Sequence, residues 1–384
     1  MANKRVENIN PHILRLCRKQ IGLSIEQAQK KAGLKSLADI EAGKKYPTIM
    51  QLEKIAGRYQ VPVWVFLKEE LPERYRFNKS VAFRQFQNSI TNDYEVRSVI
   101  ARVERFRELL LELRDDMGEP VQPFSPPLIG RDHKSAAEVI RQWLGYSEKA
   151  YSLEERKQLV ENKNIFVFMT SKYPGWSKVR PSVQGFAIYN ELLPIIVINS
   201  SDAYRAQSFT LFHELGHLLH KKSALDERIE PVKEIETDEE RWCNQFAGEV
   251  LMPEYDFLEV VEDFVSEAPL NERIKQIDKL AKIFKVSSYA FLVRLKYLNI
   301  ITVSAFREIE KQLSINYENS RRQQKENKIP ISRNIAKEAL AQYGNIYTKA
   351  VIQTYHNQEI GLHKLCQLLG IKKARDALKL ESLL

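Results

Sequence analysis

Long apolar runs are missing from this 384-residue chain. No stretch of about 18 or more apolar residues occurs, which excludes a membrane-spanning helix. Cysteine is scarce: Cys17, Cys243 and Cys366 are far apart and odd in number. That argues against a disulfide framework and for a reducing compartment, with three buried thiols as the expectation. The opening Met1-Ala2-Asn3-Lys4-Arg5 leads into polar sequence rather than an apolar signal core. A soluble, cytoplasmic protein without membrane contact is therefore expected. Internal repeats are absent too. Histidine is used only 7 times, so any close pair of histidines carries information.

What is present is ordinary for folded protein: 43% hydrophobic and 28% charged residues. The length exceeds what one core usually serves, so two or three domains are expected. Net charge is +9 but uneven. Residues 1–80 carry about +8 and residues 301–384 about +6, which leaves the middle near −5. Basic ends around an acidic centre suit an anionic partner, nucleic acid or an acidic protein face. A merely solvated surface remains the other reading.

Residues 11–67 read as short helices. Ser24 with Gln27 three residues on is a capping-box start, Gly33 ends that helix, Gly43 stops another, and Pro47-Thr48 opens a third. Leu52, Ile55, Ala56 and Tyr59 repeat at helical spacing. The module is compatible with a helix-turn-helix. A basic, aromatic connector (Arg74–Phe77, Phe83–Phe86) precedes one amphipathic helix over 93–116, and Pro120–Pro127 reads as a linker. Helices are expected at Ala136–Leu144 and Glu154–Glu161. The period then changes to that of strands at Ile165–Met169, Gly185–Tyr189 and Ile195–Ile198. A small sheet thus precedes a helix at Ala206–His220. Helices return beyond Glu236, interrupted by a polar stretch at Tyr317–Lys328. Near the C-terminus Leu362, Leu365, Leu368, Leu369 and Ile371 read as core packing, or as a second helical binding unit beside Lys372, Lys373 and Arg375.

The most informative segment is Phe209-Thr210-Leu211-Phe212-His213-Glu214-Leu215-Gly216-His217. Histidines at i and i+4 lie on one helix face, one turn apart, so both imidazoles can reach one metal ion. Glu214 can face the open coordination position and take a proton from water there. Gly216 keeps the helix face small where sheet or substrate approaches. A catalytic zinc site needs a third protein ligand. The acidic run Glu236, Asp238, Glu239, Glu240 opens a later helix, and Glu240 shares a face with Asn244 and Ala247. Glu240 is the expected third ligand, with Glu239 and Glu236 as substitutes. His220 reads as lying outside the ligand set. Zinc is the expected metal, and manganese suits similar ligands. Tyr204 and Tyr189 are the candidates to stabilise an oxyanion.

These residues, with Phe246-Ala247, Leu251-Met252-Pro253, Gly185–Ile188 and Pro194–Asn199, resemble the ImmA/IrrE metallo-endopeptidases over roughly residues 130–260. The resemblance implies His213, His217 and Glu240 as zinc ligands and Glu214 as the base. It also implies cleavage of a regulatory protein, a repressor or a toxin/antitoxin-type partner encoded nearby. The N-terminal module resembles Xre/Cro-type helix-turn-helix domains through Leu23–Ala28, Ile40–Gly43 and Pro47-Thr48. Its recognition helix is about two residues short and offers Lys35, Ser36, Leu37, Ala38, Asp39 and Ala42, which read base edges poorly. Asp39 would face phosphate unfavourably. DNA contacts are expected from Lys35, Ser36, Lys44 and Lys45, with Arg18 as a further hold on the backbone.

The expected fold is therefore multidomain and mainly α. It comprises a helix-turn-helix domain (1–70), a helical connector and proline-rich linker (71–127), a central α+β zincin-like metallopeptidase domain with a small sheet (128–300), and a helical C-terminal domain (301–384). Two functions fit. One is a zinc endopeptidase coupled to a helix-turn-helix; the other is a DNA-binding or antitoxin-like regulator that binds a partner without cutting it.

Overall fold

The computed structural model describes residues 5–76, 93–147, 150–170, 179, 182–227, 237–326 and 333–384. The second half of the aromatic connector, Phe83–Phe86, and Glu236 lie outside them.

The N-terminal module has four helices: α1 (Pro11–Gln20), α2 (Ile25–Ala32), α3 (Leu37–Glu41) and α4 (Ile49–Tyr59). Their ends follow the sequence signals. Ser24 and Thr48 cap α2 and α4 in full capping boxes with Gln27 and Gln51, and Gly33 takes the left-handed conformation (φ 65°) after α2. Ile13, Leu14, Leu37, Ile40, Leu52, Ile55 and Phe66 close the core. Inside it Glu41 receives the Arg18 Nε at 2.9 and 3.0 Å and the Tyr59 hydroxyl at 3.2 Å.

Helix α5 (Tyr94–Asp116) joins this module to the rest. At its start Arg97 donates to the Gln20 carbonyl (3.0 Å), and the Tyr94 hydroxyl donates to that of Arg58 (3.1 Å). Further on, Arg107 donates to the Leu192 and Leu193 carbonyls. Next come α6 (His133–Leu144), α7 (Leu153–Glu161), β1 (Phe166–Met169), β2 (Val183–Ile188), β3 (Ile195–Ile198), α8 (Tyr204–Leu219) and β4 (Ala224–Glu227). The sheet order is β1-β3-β2-β4, with β1 parallel to β3 and the other pairs antiparallel. Strand β4 follows α8 and has no counterpart in the expected sheet. Ala224-Leu225-Asp226-Glu227 is acidic and unbranched at Cβ, so it carries no strand signal of its own.

The apolar strand runs are explained by burial on both faces. Val167, Met169, Ile196 and Ile198 pack with Leu211, Phe212 and Leu215 of α8. Phe166, Phe168, Ile195 and Val197 pack on the opposite face, with Phe106 of α5 and with Tyr343 and Tyr347. Those tyrosines belong to α14 (Ile335–His356). It follows α9 (Asp238–Leu251), α10 (Glu254–Val260), α11 (Leu270–Ile283), α12 (Ser288–Tyr297) and α13 (Val303–Glu326), and α15 (Leu362–Leu368) and α16 (Ala374–Glu381) come after it.

The segment expected as a separate domain over 301–384 shares cores with what precedes it. Phe306 and Ile309 join the cluster under α8; Tyr343, Leu365, Leu369 and Ile371 join the one beyond the sheet. The leucines near the C-terminus are thus core. The polar stretch from Tyr317 does not break α13, which runs to Glu326; its polarity is that of a solvated helix. The proline-rich stretch is tied down, with Phe124 buried beside Trp143 and its N–H donated to the Glu191 carbonyl (2.8 Å). Cys17 and Cys243 are buried and Cys366 half-buried.

Helix α14 breaks at Gly344 (φ 71°, ψ 176°). A Cβ there would lie 1.8 Å from Glu161 Oε1. Both sides of the break are capped from α7: Lys157 donates to the Ala341 carbonyl (2.8 Å), and Glu161 accepts the Asn345 N–H (2.9 Å). Burial pushes the Glu161 carboxyl up and the Lys157 ammonium down from their ordinary values.

Candidate metal centre

Helix α8 starts from a turn fixed by the buried Asn199. Its amide donates to the Val183 carbonyl (2.7 Å), and its oxygen accepts the Thr170 hydroxyl (3.2 Å) and the Ser201 N–H (3.0 Å). The helix is buried almost throughout, so its histidines have little freedom. Two glycines set its depth. A Cβ on Gly185 of β2 would meet Thr210 Cγ2 at 2.5 Å and Glu214 Oε1 at 3.3 Å, so this glycine lets the sheet close on α8 at Glu214. A Cβ on Gly216 would meet Cys243 Sγ at 3.0 Å. The partner of Gly216 is therefore α9, not the expected sheet or substrate. That close helix–helix approach brings the acidic run to the histidines.

Helix α9 starts at Thr237, whose hydroxyl accepts the Glu240 N–H (3.2 Å), and its first turn holds Asp238, Glu239 and Glu240. Nε2 of His213 and Nε2 of His217 lie 3.2 Å apart. Glu240 reaches the first through Oε2 at 3.2 Å and the second through Oε1 at 3.4 Å. Among the described residues, His213, His217 and Glu240 form the one group able to hold a metal ion. Tetrahedral zinc with bonds of ~2.0–2.1 Å keeps its ligands ~3.3 Å apart, so the 3.2 Å between the two Nε2 atoms fits. His213 and His217 are 3% and 1% exposed and Glu240 is 35% exposed, so solvent reaches the trio on the Glu240 side.

The other ring nitrogens are also engaged. His213 Nδ1 faces the Asn244 amide oxygen at 3.0 Å, and His217 Nδ1 faces Glu239 Oε1 at 3.3 Å. Both acceptors place the proton on Nδ1 and leave Nε2 its lone pair, the form that ligates. Lys222 pairs with the other Glu239 oxygen. Glu239 is thus turned to the back of His217 rather than into the trio. Glu214 is fully buried, its carboxylate against Gly185.

His220 lies outside the trio, its ring against Trp242 with centroids 4.4 Å apart. Tyr204 opens α8 nine residues before His213, and its hydroxyl donates to Glu154, so it is not at the trio. Tyr189 is half-buried in the α8-side core just past β2. Sequence reasoning gave no role to Lys222 and none beyond a shared face to Asn244. The i, i+4 spacing from Glu240 to Asn244 was a usable signal; Lys222 had none.

In the N-terminal module Lys35 and Lys44 are exposed and Ser36 is half-buried. Lys45 Nζ pairs with Asp39 at 2.6 Å, which relieves the expected repulsion of phosphate by Asp39 and engages Lys45. Arg18 is taken up by Glu41 and by the Leu23 carbonyl (2.7 Å), so it does not serve the expected phosphate contact. Leu37, Ile40 and Glu41 of the five-residue α3 are buried.

Two segments of the chain match known protein families. Residues 174–296 match the Peptidase_M78 family, the IrrE N-terminal-like domain, and residues 14–63 match a helix-turn-helix family. The first match starts and ends later than the resemblance over 130–260 suggested. It holds β2, β3, α8 and α9, while α5 and α14, which close the far face of the sheet, fall outside both. No curated protein matches the chain. No helix among the described residues is long and apolar enough to cross a membrane. The chain thus carries an N-terminal segment that matches a helix-turn-helix family and a later segment that matches the IrrE N-terminal-like Peptidase_M78 family.

Proposed function

We propose that this chain is a zinc-dependent endopeptidase that cuts a regulatory protein, a repressor or an antitoxin-type partner, under the control of its helix-turn-helix module. The observation that carries the reading is the convergence of His213, His217 and Glu240: the two Nε2 atoms lie 3.2 Å apart, and the Glu240 carboxylate meets one through Oε2 at 3.2 Å and the other through Oε1 at 3.4 Å. Zinc held there would supply a Lewis acid that polarises a peptide carbonyl and acidifies a water. Glu214 takes the proton of the attacking water and passes it to the leaving amine. Its burial against Gly185 keeps that proton from bulk water. Among the described residues strand β4 is the sheet edge beyond β2, and its outer side offers backbone groups on which an extended peptide can lie. The N-terminal module brings the enzyme to DNA near its substrate, with Lys35, Ser36, Lys44 and Lys45 against the backbone.

The test is cleavage of proteins encoded beside this one. Glu214→Gln is expected to keep its metal and fold and to cut ~10²–10⁴-fold more slowly. Equal cleavage by the variant would sink the assignment of Glu214. A second reading, a DNA-binding regulator whose metal domain only grips its partner, is favoured by the intact helix-turn-helix. It predicts partner binding without cleavage in both proteins.

A further inference from the structure

Two carboxylates of the acidic run, Glu239 and Glu240, lie side by side in the first turn of α9, and their contacts differ. Glu240 meets both Nε2 atoms. Glu239 sends one oxygen to His217 Nδ1 at 3.3 Å and the other to Lys222. His213 is held differently, by the neutral amide oxygen of Asn244 at 3.0 Å. We infer that Glu239 and Lys222 form a positioning pair for His217, so that one ligand is backed by an anion and the other by an amide. This rests on the metal-site reading above.

The physical basis is hydrogen bonding through the imidazole. An acceptor at Nδ1 fixes the tautomer and ring angle, and an anionic one makes Nε2 a stronger donor to a cation. Lys222 sits just past the end of α8, where its N–H donates to the His217 carbonyl at 3.0 Å. The same short segment therefore holds the backbone of His217 and, through Glu239, its ring. Lys222 neutralises the outward oxygen of Glu239 and holds the inward one on the histidine. Glu239 side-chain exposure is 27% and that of His217 is 1%, so this contact is sheltered from solvent.

The test is a chelator competition for zinc, and separately cobalt, with the full chain and with Glu239→Ala, Glu239→Gln, Lys222→Met and Glu240→Gln, each checked by circular dichroism for retained fold. Glu239→Ala is expected to weaken zinc ~10–100-fold. Glu239→Gln, whose amide oxygen still accepts from Nδ1 as that of Asn244 does, should recover part of the loss, the rest being the share of the negative charge. Lys222→Met should weaken zinc less than Glu239→Ala. Glu240→Gln should abolish binding. Cobalt in Glu239→Gln should keep the intense visible absorption of a four-coordinate site. Equal, complete loss in both Glu239 variants would make Glu239 a ligand and overturn the inference. Unchanged affinity in Glu239→Ala would overturn it as well. A wild-type chain that binds neither metal would instead defeat the metal-site reading itself, a distinguishable result.

Discussion

Two of the clusters of buried ionisable groups among the described residues are built on opposite plans. In the N-terminal module Arg18, Glu41 and Tyr59 alternate donor and acceptor, so each satisfies the next. Under the sheet, the Nε2 atoms of His213 and His217 lie 3.2 Å apart, and the Glu240 carboxylate turns one oxygen to each, at 3.2 and 3.4 Å. Acceptors facing acceptors repel unless a proton or cation lies between them. The first cluster holds a fold together. The second is a group that could hold a metal ion, and the two differ in geometry.

The sharpest way to break the contrast is to remove one member from each cluster. Glu41→Ala would leave the Arg18 guanidinium buried without its anion and should cost about 3–5 kcal/mol. Urea titration should read this loss while metal content stays unchanged; an unaltered midpoint would contradict the structural role. Gly185→Ala tests the approach of the sheet to α8. The added methyl meets Thr210 Cγ2 at 2.5 Å and the Val197 carbonyl at 2.7 Å, so a loss of about 1–3 kcal/mol is expected. Because Glu214 shares that contact, cleavage should fall more than stability explains, and a fall matched by unfolding alone would argue against it.

Smaller effects sharpen the picture. Duplex DNA binding should weaken with salt, and Lys44→Ala should flatten the salt dependence by about one unit of slope. Lys45, already paired with Asp39, should contribute less. Equal effects of the two lysines would contradict the pairing. Last, burial raises the Glu161 carboxyl, against the pull of Lys157, the Asn345 bonds and Lys349. The folded state therefore holds that proton at pH values where the unfolded chain has released it, and stability falls as pH rises from the unfolded carboxyl value through the folded one. Glu161→Gln should lose this slope in urea titrations run across that interval; an unchanged slope would assign it elsewhere.

Much of this was legible in the residues. Ser24 with Gln27, Thr48 with Gln51 and Gly33 mark helix ends through local bonds, which sequence records directly. The trio was legible because i, i+4 histidines imply one helix face. Choosing Glu240 from the acidic run was also possible, through the face it shares with Asn244. What escaped was set by chain segments distant in sequence. Strand β4 is a strand because β2 offers it an edge, not because Ala224–Glu227 prefers one. Helix α14 looks like a separate domain until the far side of the sheet is seen to need a cover. Lys222 and Glu239 meet only because Gly216 lets α9 close on α8. Arg18, a plausible phosphate contact by charge, is consumed by Glu41 in the folded core.

The most direct test of the central claim is the metal content of the freshly purified chain, measured by mass spectrometry for wild type, Glu214→Gln and His217→Ala. The account predicts about one zinc per chain in the first two and almost none in the third. Equal metal in His217→Ala and wild type, or none in wild type after exposure to zinc, would contradict it.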